Sequence, residues 1–303
     1  MRLALLVACS LAVVVACGSA AGGTREDGCG SRRGQGTEKG SARPSDGGAP
    51  SEADGATPSS AAVGPSLTPL EGPWIRELAL SQGRKAYVAA PPGAREPLPV
   101  LVAVHGAGDR ADWACSEWTA ILAGRAIVVC PEGRPSQGKG TFAWGSAQHI
   151  VENVEAALEA TRATFGAHVG TWPPVYAAWS QGGTLAGQAL ALRPKLFRRA
   201  VISEVGHTPL DPKATAVAMG AGGIERVVVS CSTAPCRTWA RTFEREASAQ
   251  SVRVQVNDAG DRGHVFDEKV FATLAPKVRW LVADDEGWAG VRAGMEGKWG
   301  PAR

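Results

Sequence analysis

The sequence predicts an α/β protein, a doubly wound and mostly parallel sheet with helices on both faces. Three observations predict it. Short continuous apolar runs, Val100–Val104 and Val175–Trp179 among them, have the length and composition of strands buried on both sides. Amphipathic segments lie between such runs, as where Ile150, Val154, Leu158, Thr161 and Phe165 recur at helical spacing. The two kinds alternate, which is the crossover pattern that parallel strands need.

In order, residues 74–80 and 85–90 read as two strands joined by a Ser-Gln-Gly turn. Val100–Val104 follows and ends in His105-Gly106. After a Trp-rich helical stretch, 126–130 is the next strand, and the amphipathic helix through Phe165 leads to the strand Val175–Trp179. A helix over 184–193 is stopped by Pro194. Three further strands are expected at Arg199–Ser203, 226–230 and 252–256, with a helix around Phe243 between the last two.

With 303 residues, 44% of them hydrophobic, the chain suffices for one globular domain plus extra segments. A net charge of only +3, with Lys and Arg unclustered, argues against a nucleic-acid partner and for a small-molecule or polymer substrate. The longest apolar run, residues 3–15 behind Arg2, is too short to span a bilayer and reads as the core of a signal peptide. It ends in Val14-Val15-Ala16-Cys17, which resembles the lipobox of bacterial lipoproteins. The resemblance implies a signal peptide over 1–17, lipidation of Cys17, and export to the periplasm or cell surface with the chain anchored to a bacterial membrane. An ordinary secretory signal with an incidental cysteine is the alternative. Residues 18–70, rich in Gly, Ser, Ala and Pro, bury too little to fold and form a linker with an end-to-end distance on the order of 40 Å. Residues 288–303 are expected to be a C-terminal tail, leaving 71–287 as the domain.

Of seven cysteines, Cys9 and Cys17 fall in the signal and Cys29 in the linker. Cys115, Cys130, Cys231 and Cys236 remain, an even number for an oxidising compartment. Three pairings are open. Proximity in sequence favours Cys231 with Cys236, and hence Cys115 with Cys130. No CxxC pair or His-rich spacing suggests zinc, so no metal and no cofactor are expected.

The strongest chemical signal is Ala178-Trp179-Ser180-Gln181-Gly182-Gly183, after an apolar strand and opening a helix. A nucleophile on so sharp a turn needs small residues two positions before and after it. Ala79-Leu80-Ser81-Gln82-Gly83 matches the pattern equally, but it lies between two strands with no helix behind it, so Ser81 is set aside. With His105-Gly106-Ala107-Gly108-Asp109 and Gly263-His264-Val265-Phe266, the elbow resembles those of the α/β-hydrolase superfamily. The resemblance runs over roughly 74–285 and looks like the phospholipase/carboxylesterase and dienelactone-hydrolase-like branches. It implies serine chemistry and leaves the substrate open.

A serine hydroxyl needs an adjacent base. His264 fits, because it follows the last strand and the triad order of this fold puts the histidine late. His207 is the competitor, but it follows the strand next to the elbow. The oxyanion would be held by the N–H of Gln181 and that of Ala107, or less favourably Gly106, with His105 bracing the loop. Gly106-x-Gly108-x-x-Ala111, with Glu132 beyond the next strand, also approaches a dinucleotide fingerprint. Two strands precede it, however, where a dinucleotide fold would place it at the first.

The acid is the gap. The resemblance implies an aspartate after the strand next but one to the elbow, where this chain has Ser230-Cys231-Ser232-Thr233-Ala234-Pro235-Cys236. Glu204, at the end of the intervening strand, is the expected replacement, and relocation of the acid to that strand is known in the superfamily. Asp258 and Asp261 in the histidine's own loop, and Asp211, are its rivals. The expected function is therefore an extracytoplasmic serine hydrolase cleaving carboxylic esters. A serine peptidase of the same fold and a catalytically impaired surface binding protein are the alternatives. Trp113, Trp118, Trp144 and Trp179 are candidates for a substrate cleft, with core the expectation for most of them.

Overall fold

The computed structural model describes residues 66–299, and the alternation of strands and helices runs through them. Strands β1 (Ile75–Ala79) and β2 (Lys85–Ala89) pair antiparallel. They are followed by β3 (Val100–Val104), α1 (Ala111–Ile121), β4 (Ile127–Pro131), the short hairpin β5 (Arg134–Pro135) and β6 (Phe142–Ala143), and α2 (Ala147–Phe165). Next come β7 (Val175–Trp179), α3 (Gln181–Leu192), β8 (Arg199–Ser203), α4 (Pro212–Ala221), β9 (Arg226–Cys231) and α5 (Ala234–Ser248). The chain closes with β10 (Arg253–Asp258), α6 (Glu268–Leu281) and α7 (Ala289–Trp299).

Eight strands form one sheet in the order β1-β2-β4-β3-β7-β8-β9-β10. Only the β1–β2 and β2–β4 pairs are antiparallel. From β4 to β10 every neighbour is parallel, so all those strands deliver their C-terminal ends to the same edge. The period of two along each strand sorts side chains to two cores. Val100, Val102 and Val104 point into the layer made by α2, α3, α4 and α5. Leu101 and Ala103 point into the layer made by α1, α6 and α7. Helix starts carry their own signals: Ser146, Asp211 and Asp267 each accept a hydrogen bond from a backbone N–H of the first turn.

Two expected boundaries are corrected. The folded unit begins before residue 71, because Leu67 N–H donates to the Arg95 carbonyl and Leu70 N–H to that of Ala94. The expected tail is instead a helix, α7, preceded by Trp288 with no exposed surface. Val291 and Met295 are also buried, in the same core as α1 and α6. The remainder of 18–70, the signal over 1–17 and Cys17 lie outside the described residues. Cys115 is disulfide-bonded to Cys130, tying α1 to β4, and Cys231 to Cys236, tying the end of β9 to the first turn of α5. Both bridges fit an oxidising, non-cytoplasmic compartment. No described helix is long and apolar enough to cross a membrane.

Candidate active site

Ser180 sits between the last residue of β7 and the first of α3, with φ 50° and ψ −112°. A non-glycine residue held in that region is strained, and the surroundings impose it. The Ser180 N–H donates to the Ser203 carbonyl at 2.8 Å, which locks the turn to β8. The chain folds back so tightly that a Cβ at Gly182 would lie 2.8 Å from the carbonyl oxygens of both Val104 and His105. Glycine is therefore required there.

His264, in the loop after β10, places Nε2 2.9 Å from Ser180 Oγ. Its ring packs 4.7 Å from Trp179, which in turn lies 5.3 Å from Phe266. Phe266 continues to Trp118 and Phe271 in the core, so the imidazole is backed by a chain of tilted and edge-on aromatic contacts. Its side chain nonetheless keeps 40% exposure, which leaves the site open to solvent.

Glu204 follows β8 directly, is 2% exposed, and has a φ of 52°. Its Oε1 accepts from the Ser232 N–H and lies 2.8 Å from Ser232 Oγ; its Oε2 accepts from Thr233 Oγ1 at 2.8 Å. The same Oε2 is 3.8 Å from Nδ1 of His264, an ion-pair distance longer than a hydrogen bond. Burial opposes ionisation of this carboxyl, but the His264 imidazole and the donors of Ser232 and Thr233 outweigh it and hold the pKa down at about 2. A buried carboxylate therefore faces the far side of the imidazole that faces Ser180. Ser232 Oγ also lies 2.6 Å from the Gly263 carbonyl, which joins the acid to the histidine loop.

Sequence reasoning set His207 aside as a base, and the structure does not place it against Ser180. It does bring its Nε2 to 3.2 Å from Glu204 Oε2, with its ring edge-on to that of His264 at 4.5 Å. The rival carboxylates are used elsewhere. Asp258 and Asp261 pair with Arg237, and Asp211 caps α4. Ser81 lies in a 3-10 turn between β1 and β2, where its Oγ accepts from Arg84 at 2.9 Å.

The loop after β3 lies against the elbow, since a side chain at Gly106 would strike Trp179 and Ser180. The glycine thus serves the packing of this loop on the Ser180 turn. His105 has no exposed surface; its Nδ1 donates to the Gly106 carbonyl at 2.7 Å and its Nε2 accepts from Gly133 N–H at 3.1 Å. Burial lowers its pKa, which fits this neutral, bracing tautomer. Trp144 Nε1 donates to the His105 carbonyl at 2.9 Å. The Gln181 side chain clamps Trp144, accepting from its N–H at 2.8 Å and donating to its carbonyl at 3.1 Å. This bridge, which no local sequence pattern announces, fixes the loop relative to Ser180. Gln181 N–H opens α3, where helix N–H groups have no internal acceptor, and Ala107 N–H follows the glycine in contact with the elbow. Of the four tryptophans named as cleft candidates, Trp118 and Trp144 are core, Trp179 is part-buried against His264, and Trp113 is exposed.

No family model matches the sequence, and no curated protein matches it. Solved structures do. An S-formylglutathione hydrolase from Agrobacterium tumefaciens aligns over 72% of this chain and 99% of its own, at 13% identity and a TM-score of 0.52. Fluorophosphonate-binding serine hydrolase F of Staphylococcus aureus aligns over 73% and 100%, at 13% identity and a TM-score of 0.51. A candidate dienelactone hydrolase from Klebsiella pneumoniae aligns over 69% and 98%, at 17% identity and a TM-score of 0.51. These likenesses, together with the strand order, show the α/β-hydrolase fold.

Proposed function

We propose that this chain of α/β-hydrolase fold is a serine hydrolase that cleaves carboxylic esters through an acyl-enzyme on Ser180. The observation that carries the reading is the strained serine with its hydroxyl 2.9 Å from Nε2 of His264. In the first half-reaction Ser180 Oγ bonds to the acyl carbon while its proton passes to His264 Nε2. Glu204, charged and buried, stabilises the imidazolium. The N–H groups of Gln181 and Ala107 receive the oxyanion. Collapse breaks the bond to the alcohol, which leaves with the proton from Nε2. Water then loses a proton to the same nitrogen and attacks the acyl carbon, and Nε2 returns that proton to Ser180 Oγ as its bond to the acid breaks. Esters are favoured over peptides because the structures of like fold include an S-formylglutathione hydrolase.

The test is a fluorophosphonate probe together with a panel of short-chain aryl esters. Ser180→Ala should lose labelling and turnover, whereas Ser81→Ala should keep both. Labelling that persists in the Ser180 variant overturns the assignment. We further propose that the protein is extracytoplasmic and held to a bacterial membrane through acyl chains on Cys17. This rests on the Val14-Val15-Ala16-Cys17 sequence and on the two disulfides. Cys17→Ala should move the protein from the detergent phase to the aqueous phase of a phase separation, and unchanged partitioning would count against the anchor.

A further inference from the structure

The proposed relay uses one imidazole, yet two meet on Glu204. We propose that Glu204, His207 and His264 form a binding site for a divalent transition-metal cation, with Zn2+ the best-fitting ion, and that its occupation switches the serine chemistry off. One ligand atom from each residue lies within 4.8 Å of the others. Nε2 of His207 and Nδ1 of His264 are 3.2 Å and 3.8 Å from the same oxygen, Oε2 of Glu204. Ligands at about 2.0–2.2 Å from a tetrahedral Zn2+ lie about 3.3–3.6 Å from one another. The two separations from Oε2 therefore stand close to edges of such a tetrahedron before any ion enters, and the two nitrogens lie within 4.8 Å of each other.

The donor set selects the ion. Two imidazole nitrogens and one carboxylate, with a fourth position left open, suit Zn2+, whereas Ca2+ and Mg2+ call for oxygen ligands. An outer shell is also present, because Ser232 and Thr233 hold the carboxylate in place. Entry is open: the His207 and His264 side chains keep 33% and 40% exposure above a buried Glu204. The ligands come from the loop after β8 and the loop after β10, about sixty residues apart in sequence, so no local spacing motif announces them.

The inhibitory consequence rests on the serine-hydrolase reading; metal binding does not. A cation on Nδ1 of His264 takes the lone pair there and leaves the ring's proton on Nε2. That nitrogen then cannot accept the proton of Ser180. The cation also neutralises the carboxylate that would stabilise the imidazolium.

The test titrates the metal-free full-length chain with Co2+ and follows the visible absorption of four-coordinate cobalt. Wild type and Ser180→Ala should each bind one equivalent, and His207→Ala should bind at least about a hundredfold more weakly. Absence of Co2+ binding by wild type, or wild-type affinity in His207→Ala, overturns the site. In parallel, saturating Zn2+ should slow fluorophosphonate labelling of wild type at least tenfold, reversibly with a chelator. The same Zn2+ should leave the rate of His207→Ala at that variant's own metal-free value. Bound Zn2+ with undiminished wild-type labelling overturns the switch. A chain that binds Co2+ but never labels keeps the metal site and overturns the hydrolase reading instead.

Discussion

Glu204→Gln separates the proposed triad from every other account of the site. The substitution preserves shape at a position that is 2% exposed, so folding should survive. The Oε1 position still accepts from Ser232, which leaves the new amide NH2 at the position facing Thr233, His207 and His264. Two losses follow. The carboxylate no longer stabilises the imidazolium: at 3.8 Å and an effective dielectric of about 20 that attraction is about 4 kcal/mol, or three decades in rate. The amide also offers a proton to Nδ1, which favours the tautomer with Nε2–H and can bring the loss to about 10⁴. Turnover of an aryl ester should therefore fall by about 10³ to 10⁴, while the Michaelis constant changes by no more than about threefold, because Glu204 is buried behind the histidine. Asp258→Asn and Asp261→Asn, whose side chains are 54% and 78% exposed and pair with Arg237, should each cost less than about threefold. A Glu204→Gln enzyme within tenfold of wild type, or a large loss in either aspartate variant, refutes the reasoning.

Replacing Cys231 and Cys236 by serine opens a bridge spanning only five positions, so the stability lost should be at or below about 3 kcal/mol by thermal melting. Turnover should drop more noticeably, because the bridge flanks Ser232 and Thr233, which hold Glu204; a variant with unchanged turnover would show that the loop keeps its shape unaided. Glu117 on α1 is pushed up to about 8 by burial and, secondarily, by Asp109. Its folded form stays protonated where the unfolded form has ionised, so its contribution to stability is complete below pH about 4.5 and is lost as the pH rises towards 8. Glu117→Gln should thus gain on the order of 4 kcal/mol over wild type near pH 8 and nothing near pH 4, and parallel melting curves across that range would refute the assignment.

Much of this site was legible because its signals are local. The elbow is an apolar run, a serine and two glycines, and the late histidine follows the last strand. Glu204 was reached by topology, since the residue after β8 has to lie beside the one after β7. His207 was not legible as a neighbour of the acid, because its place depends on how the chain turns at Gly206. That residue has φ 88°, and a Cβ there would lie 2.9 Å from that of Trp239. The turn brings His207 back to the carboxylate three positions earlier. Helix α7 was missed for another reason. Its glycines lower helix propensity, and its stability comes from burying Val291 and Met295 in the α1–α6 layer. Trp288, Val291 and Met295 do recur at helical spacing, a signal that composition concealed.

The position of Glu204, the proposed acid, follows from how the strands end. Trp179 is in register with Ser203, and Ser203 with Ser230, so β7 and β8 finish level and β9 runs one residue further. The backbone repeats one bond across them: Ser180 N–H to the Ser203 carbonyl, then Glu204 N–H to that of Ser230. A carboxylate on residue 204 is thus one strand spacing, about 4.8 Å, from the elbow, and one after β9 would be two. Moving it inward requires the histidine loop to reach further across β9, and the contacts present do that. Ser232, near the place where the resemblance implies an acid, lies within hydrogen-bond distance of both Glu204 and the Gly263 carbonyl. The disulfide beside it holds the end of β9 against α5. Where an acid is expected in sequence, the structure has a neutral spacer that ties Glu204, after β8, to the loop that carries His264 in from β10. Glu204, like Ser180, is held at positive φ, a conformation that a non-glycine residue keeps only where its surroundings impose it.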